Sequence, residues 1–139
     1  MTVIQVCGIP KGQPRVKAYV RGRHAGVYTP DTANEWKMKV REAAILVSDG
    51  LKPYTDAVSV EMDFWIPRPK SHFKPNGQLK QAAPIMHTQK PDVDNLAKAV
   101  LDVLTDVRLW EDDAQVHKLT VTRNWCGDQQ PPGASIWVR

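Results

Sequence analysis

The sequence predicts an α/β domain in which a mixed four-stranded sheet carries two main helices. Three features predict it. Residues from Val58 to Ile66 alternate apolar with polar, two stretches repeat apolar residues at helical spacing, and β-branched runs stand at both ends of the chain. At 139 residues the chain has the length of one ordinary domain, and with 42% hydrophobic residues it can bury a core.

The elements follow in order. Residues 2–9 (TVIQVCGI) are β-branched and read as an opening strand. GIPKGQPRVKAYVRGRHAG holds two prolines, four glycines and five cations, and reads as a loop or irregular hairpin. A helix begins near Thr29-Pro30, where Thr32 and Glu35 have capping-box spacing. Trp36, Val40, Ala43, Ala44 and Val47 give it an apolar face, and Asp49-Gly50 closes it. In the strand at 57–66, Val58, Val60, Met62, Phe64 and Ile66 point one way, with Ser59, Glu61 and Asp63 between them. From Pro67 to Pro91 there is no periodicity. So long a segment exceeds the ~12–15 residues that usually pass without a purpose, and it is expected to be a mobile basic loop that orders on a ligand. A second helix is expected over 92–105, with Leu96, Val100, Leu101 and Leu104 inward. VHKLTVTRNW (116–125) reads as a strand, and SIWVR as a last strand after a Gly/Pro turn. The order is β-α-β-loop-α-β-β, one domain over 1–139, with no repeats.

The net charge of +4 hides a sharper pattern. Lys11, Arg15, Lys17, Arg21 and Arg23 lie in one acid-free stretch, and Arg68, Lys70, Lys74, Lys80 and Lys90 in another. The rest of the chain is acidic on balance. Concentrated cations suit a polyanion, although two solvated polar loops would give the same count. No apolar run approaches the ~20 residues of a membrane helix, and no export signal is visible. Cys7 and Cys126 lie far apart with no metal-ligand spacing, so reduced thiols in a cytoplasmic protein are expected, without zinc.

Seven of the 15 acids fall within 92–113. Asp92 and Asp94 flank the expected start of the second helix, where a D-x-D pair can converge as it could not mid-helix. Taken alone, a helix cap plus a favourable helix-dipole contact is the commoner explanation of both. Asp112-Asp113 stands between helix and strand. Brought to the start of the 92–105 helix, it would put three or four carboxylates in one small volume, which requires a compensating cation. Hard oxygen donors suit Mg²⁺ or Mn²⁺, and the EF-hand spacing is absent. Lys98, four residues after Asp94, is either an exposed ion-pair partner or a phosphate-binding group at the rim.

The run KPDVDNLAKAVLDVLTDVRLWEDDAQV, residues 90–116, resembles the core motif of the RusA family of Holliday junction resolvases. Both the D-x-D-N opening and the W-x-D-D-A-Q-V close are intact at the family's interval. GIPKGQPRVK…VYTP is similar to the longer, often phage-associated members, so the likeness covers most of the chain. The resemblance implies a homodimeric, Mg²⁺-dependent endonuclease (with Mn²⁺ able to substitute). It would hydrolyse phosphodiesters at four-way junctions in recombination and repair, in a bacterial or phage-encoded setting. It implies that Asp92, Asp94 and Asp113 hold the metal, with Asp112 beside them, and that Lys98 is the essential lysine. Lys11, Arg15, Lys17, Arg68, Lys70, Lys74, Lys80 and Lys90 are the expected DNA contacts. The chain departs from shorter members, which carry a compact arginine run before the D-x-D, so its substrate preference is not implied. Phe73 and Trp125 are either base-stacking groups or core. The rival functions are a flap- or fork-cutting nuclease and a non-catalytic DNA-binding module.

Overall fold

The computed structural model describes residues 1–139. The strands are β1 (Thr2–Cys7), β2 (Lys17–Arg21), β3 (His24–Tyr28), β4 (Val58–Ile66), β5 (Val116–Trp125) and β6 (Gly133–Val138). The helices are α1 (Asn34–Ser48) and α2 (Val93–Asp106), with short 3₁₀ turns at Lys70–His72 and Asp113–Gln115. The fold is the expected α/β class. Its four-stranded sheet runs β1-β6-β4-β5, antiparallel except for the parallel pair β4–β5. A parallel pair needs a crossover, and α2 supplies it.

The alternation of β4 sets the layers. Val58, Val60, Met62, Phe64 and Ile66 are buried with Ile4 and Val6 of β1 and Ala134, Ile136 and Val138 of β6. Trp36, Val40 and Ala44 of α1 and Leu96, Val100, Val103 and Leu104 of α2 join the same core. Leu101 only packs against its margin, and Val47 is exposed. The Thr32–Glu35 capping box does not form. The residue before α1 is Ala33, with no side-chain cap, and the helix starts several residues later than expected.

Two other expectations are corrected. The stretch read as a loop or irregular hairpin forms a regular hairpin, β2–β3, that runs on to Tyr28 and is closed by Gly22 at φ +60 and Arg23. Positive φ at the first central residue alone is the signature of a type II′ turn, which suits hairpin twist. The 67–91 segment is not a free loop. Arg68 donates to the carbonyls of Cys126 and Pro84, each at 2.6 Å. The Trp125 amide donates to Ile85 O at 2.8 Å, and Arg123 donates to the carbonyls of Gln89 and Pro91. The rings of His72 and His87 each meet the Trp125 ring edge-on, at 4.9 and 4.4 Å between centroids. The segment is a strap bound along the end of β5. No helix is long and apolar enough to cross a membrane.

Candidate active site

Pro91 ends the strap, and α2 begins immediately after it. Asp92 holds the N-cap position with extended backbone (φ −70, ψ 153), and its carbonyl accepts from the Leu96 amide. Its carboxylate makes no capping hydrogen bond. It faces Lys90 instead, Nζ to Oδ2 at 3.2 Å, in a largely exposed pair. Asp94 stands exposed in the first turn. A capping aspartate ordinarily accepts from the second or third helical amide. Asp92 does not, and apart from the exposed pair with Lys90 its oxygens have no partner in the chain.

The segment after β1 walls this site. The Gln13 amide donates to Asn95 O at 2.9 Å. A Cβ on Gly12 would sit 3.0 Å from Asn95 Cβ and 3.2 Å from Pro91 Cβ, so glycine permits this close approach. Two adjoining cavities of about 340 Å³ each result. One is bordered by Lys11, Thr32, Lys90, Asp92 and Asn95, and the other by Lys11, Thr32, Glu35, Trp36 and Lys39. Together they form a polar groove beside Asp92, with lysines on its rim.

Asp113 lies elsewhere. The 14 residues of α2 span about 21 Å. A Schellman turn ends the helix, with Arg108 left-handed (φ 63), its amide on Thr105 O and the Leu109 amide on Leu104 O. The chain then reaches Trp110, which bridges to Tyr54, and enters β5 at Val116 opposite Val58. The Asp92 end instead sits by Arg123, seven residues along β5. Within one chain, therefore, Asp113 is about a helix length from Asp92 and Asp94. No cluster of three His, Cys, Asp or Glu side chains could hold a metal ion. The expected convergence of carboxylates fails because α2 runs against β5, which puts the connection to β5 at the far end.

Asp112 has a structural task. It accepts from the Ala114 amide at 2.9 Å, while Gln115 Oε1 accepts from the Glu111 and Asp112 amides. Gln115 Nε2 also donates to the carbonyls of Tyr54 and Asp56, both at 3.0 Å. Sequence reasoning passed over Gln115, although a capping-box spacing from Asp112 was there to find it.

Lys98 is exposed and pairs with Asp102 at 3.3 Å, not with Asp94. Arg15, Lys17, Lys70, Lys74 and Lys80 are exposed and make no salt bridge. Arg68 is committed to the strap and is not a free DNA contact. Trp125 is buried and Phe73 is half-buried in a bridge to Leu79, so both belong to the strap's packing. The exposed aromatic pair is Tyr19 and Tyr28, which sequence reading overlooked. Burial pushes the Cys126 thiol up, partly opposed by Arg68.

The RusA endodeoxyribonuclease family model matches residues 8–139. The chain is also similar to the uncharacterized protein YqaN of Bacillus subtilis (strain 168), 28% identical over 139 residues, which cover 96% of this chain and 92% of YqaN. The family match takes in the hairpin, both ends of α2 and every strand of the sheet except β1, and the chain accordingly belongs to the RusA endodeoxyribonuclease family.

Proposed function

We propose that this chain is a Mg²⁺-dependent endonuclease that resolves four-way DNA junctions as a homodimer. The observation that carries the reading is the free cap. Asp92 sits where a helix-capping carboxylate belongs, caps nothing, and has Asp94 and a lysine-rimmed groove beside it. The donor set fits the ion, because Mg²⁺ is commonly held by one or two carboxylates together with water and substrate phosphate. A divalent ion bound there supplies Lewis acidity to the scissile phosphodiester.

The chain's own side chains do the rest. Lys11 and Lys90 orient the DNA backbone along the groove. Lys98 projects from the second turn of α2, and its exposed pair with Asp102 is worth little, so it is free to turn to the phosphate. Asp113 joins the site from a second copy. A two-fold pair with antiparallel α2 helices would set Asp113 of each copy beside Asp92 and Asp94 of the other. A four-way junction has matching pseudosymmetry, which two such sites would cut on opposed strands.

The test is cleavage of junction, flap and duplex DNA with Mg²⁺, Mn²⁺ or chelator. Metal-dependent cutting of the junction alone is expected. Asp94→Asn should abolish it while junction binding persists or tightens, since a negative charge near phosphate is removed. Preferential flap cutting would reassign the substrate, and metal-independent binding without any cutting would make the chain a binding module.

A further inference from the structure

The hairpin β2–β3 has two faces of opposite chemistry. Its register sets Lys17 against Tyr28, Tyr19 against Gly26 and Arg21 against His24. Side chains alternate across a strand, so these six residues share one face. Ala18, Val20, Ala25 and Val27 share the other. No acid occurs anywhere from residue 11 to residue 30. The ribbon makes no extended packing with either helix or with the main sheet. Tyr19 and Tyr28 are 42% and 49% exposed, so the core does not account for them.

The two rings are nonetheless held. Their centroids are 6.1 Å apart at a 58° tilt, and the Arg21 guanidinium lies 5.9 Å from the centre of the Tyr19 ring, within cation–π range. Tyr19 lies across Gly26, where a Cβ would come within 2.7 Å of the ring. Tyr19, Arg21 and Tyr28 border a cavity of about 410 Å³. Gln13 is bonded to the first turn of α2, and the four residues from there to Lys17 reach at most about 14 Å. The tyrosine face is therefore tethered to the Asp92 end of the molecule.

We propose that this face is a nucleobase-stacking site. It takes an unstacked base at a DNA branch point on Tyr19 and Tyr28, while Lys17 and Arg21 hold the flanking phosphates. A phenol ring stacks on a base only where the base has lost its neighbour, as at a crossover and not inside a duplex. The charge of the face selects a polyanion, and its paired rings select bases over phosphate alone. This deepens the reading of the chain as a branched-DNA enzyme and rests on it.

The test uses the full-length protein with chelator, titrated onto a four-way junction, a single strand and a duplex. Tyr19→Ala and Tyr28→Ala should each weaken junction and single-strand binding, by roughly 5- to 150-fold per stack lost. Duplex binding, carried by phosphate contacts, should hardly change. Tyr19→Phe should bind like wild type. Gly26→Val should weaken binding with both tyrosines present, because it displaces the Tyr19 ring. Melting temperatures should stay level, since the ribbon adds little to the core. Unchanged affinities, equal losses on junction and duplex, or dissociation of the dimer in sedimentation would each overturn the proposal. Wild type that cuts no branched DNA, yet loses single-strand binding with Tyr19→Ala, would sink the enzymatic reading and leave the stacking site standing. Cutting by wild type with full binding by both tyrosine variants would do the reverse.

Discussion

The two ends of α2 carry aspartates that look alike in sequence and do opposite things. At the C-terminal side, Asp112 caps a 3₁₀ turn, and Gln115 completes the box and ties the turn to the Tyr54–Asp56 linker. At the N-terminal side, Asp92 occupies the cap position of a 14-residue helix, but its carboxylate makes no capping bond and meets only Lys90, in an exposed pair. Ordinary folding pressure would use such a group, because a helix N-terminus leaves amides that need acceptors. The proposed active site rests on this aspartate, which does not cap, and on Lys11 and Lys90 bordering one groove beside it, cations that would suit phosphate. In the proposed dimer Asp113 is the link between the ends. It stands in the satisfied turn, but nothing in its own chain uses its carboxylate.

The sharpest way to break this comparison is a mixing experiment. Asp94→Asn and Asp113→Asn should each be inactive in junction cleavage. If each site joins Asp92 and Asp94 of one copy to Asp113 of the other, a heterodimer of the two variants has one intact site. Mixing the two inactive proteins should then restore nicking of one strand, read on a labelled junction. Sites complete within one chain would leave the mixture dead.

A smaller effect separates the two caps by stability. Asp112→Ala removes a used cap and should cost about 1 kcal/mol, or roughly 3–5 °C in melting temperature for a domain of this size. Asp92→Ala removes a carboxylate that caps nothing and should melt close to wild type. Equal losses from both would mean that Asp92 caps in solution and that the contrast is false.

What the sequence made legible follows from how local each signal is. Strand β5 and helix α2 came through nearly to the residue, because alternation, apolar spacing and Pro91 all act within a few positions. The D-x-D at the start of α2 was legible for the same reason. The separation of Asp113 was not, because it depends on α2 running against β5, a property of the whole crossover. The strap over 67–91 failed similarly. Its fasteners are Arg68 and Arg123 on distant carbonyls and two edge-on histidine contacts with Trp125, none of which leaves a periodic trace. The hairpin was half legible. Its glycines and prolines signalled a loop or irregular hairpin, but five cations in the stretch masked the alternation on either side of Gly22.

The strap gives the last and smallest contrast, since it anchors only the Asp92 end. His87 lies inside it, 3% exposed, with neither ring nitrogen hydrogen-bonded. Burial holds its pKa below the ordinary 6.5, and the nearby Arg123 guanidinium lowers it further. The Lys90 backbone opposes this weakly, short of true hydrogen-bond geometry. In the unfolded chain His87 titrates near 6.5, so at pH values just beneath that the unfolded state binds more protons than the folded one. Stability then rises with pH across that window. The contribution of a neutral His87 is complete above about 6.5 and is lost as the pH falls. Acidification should lower the melting temperature, and His87→Phe, which keeps a ring against Trp125, should flatten that slope. Hydrogen exchange tests whether the loss is local. The amides of His87 and Trp125, bonded to Arg123 O and Ile85 O, should open before those of Gln115 and Ala114 at the capped end. A slope that survives in His87→Phe, or opening that begins at the Asp112 turn, would show that the Asp92 end is held by something other than this ring contact.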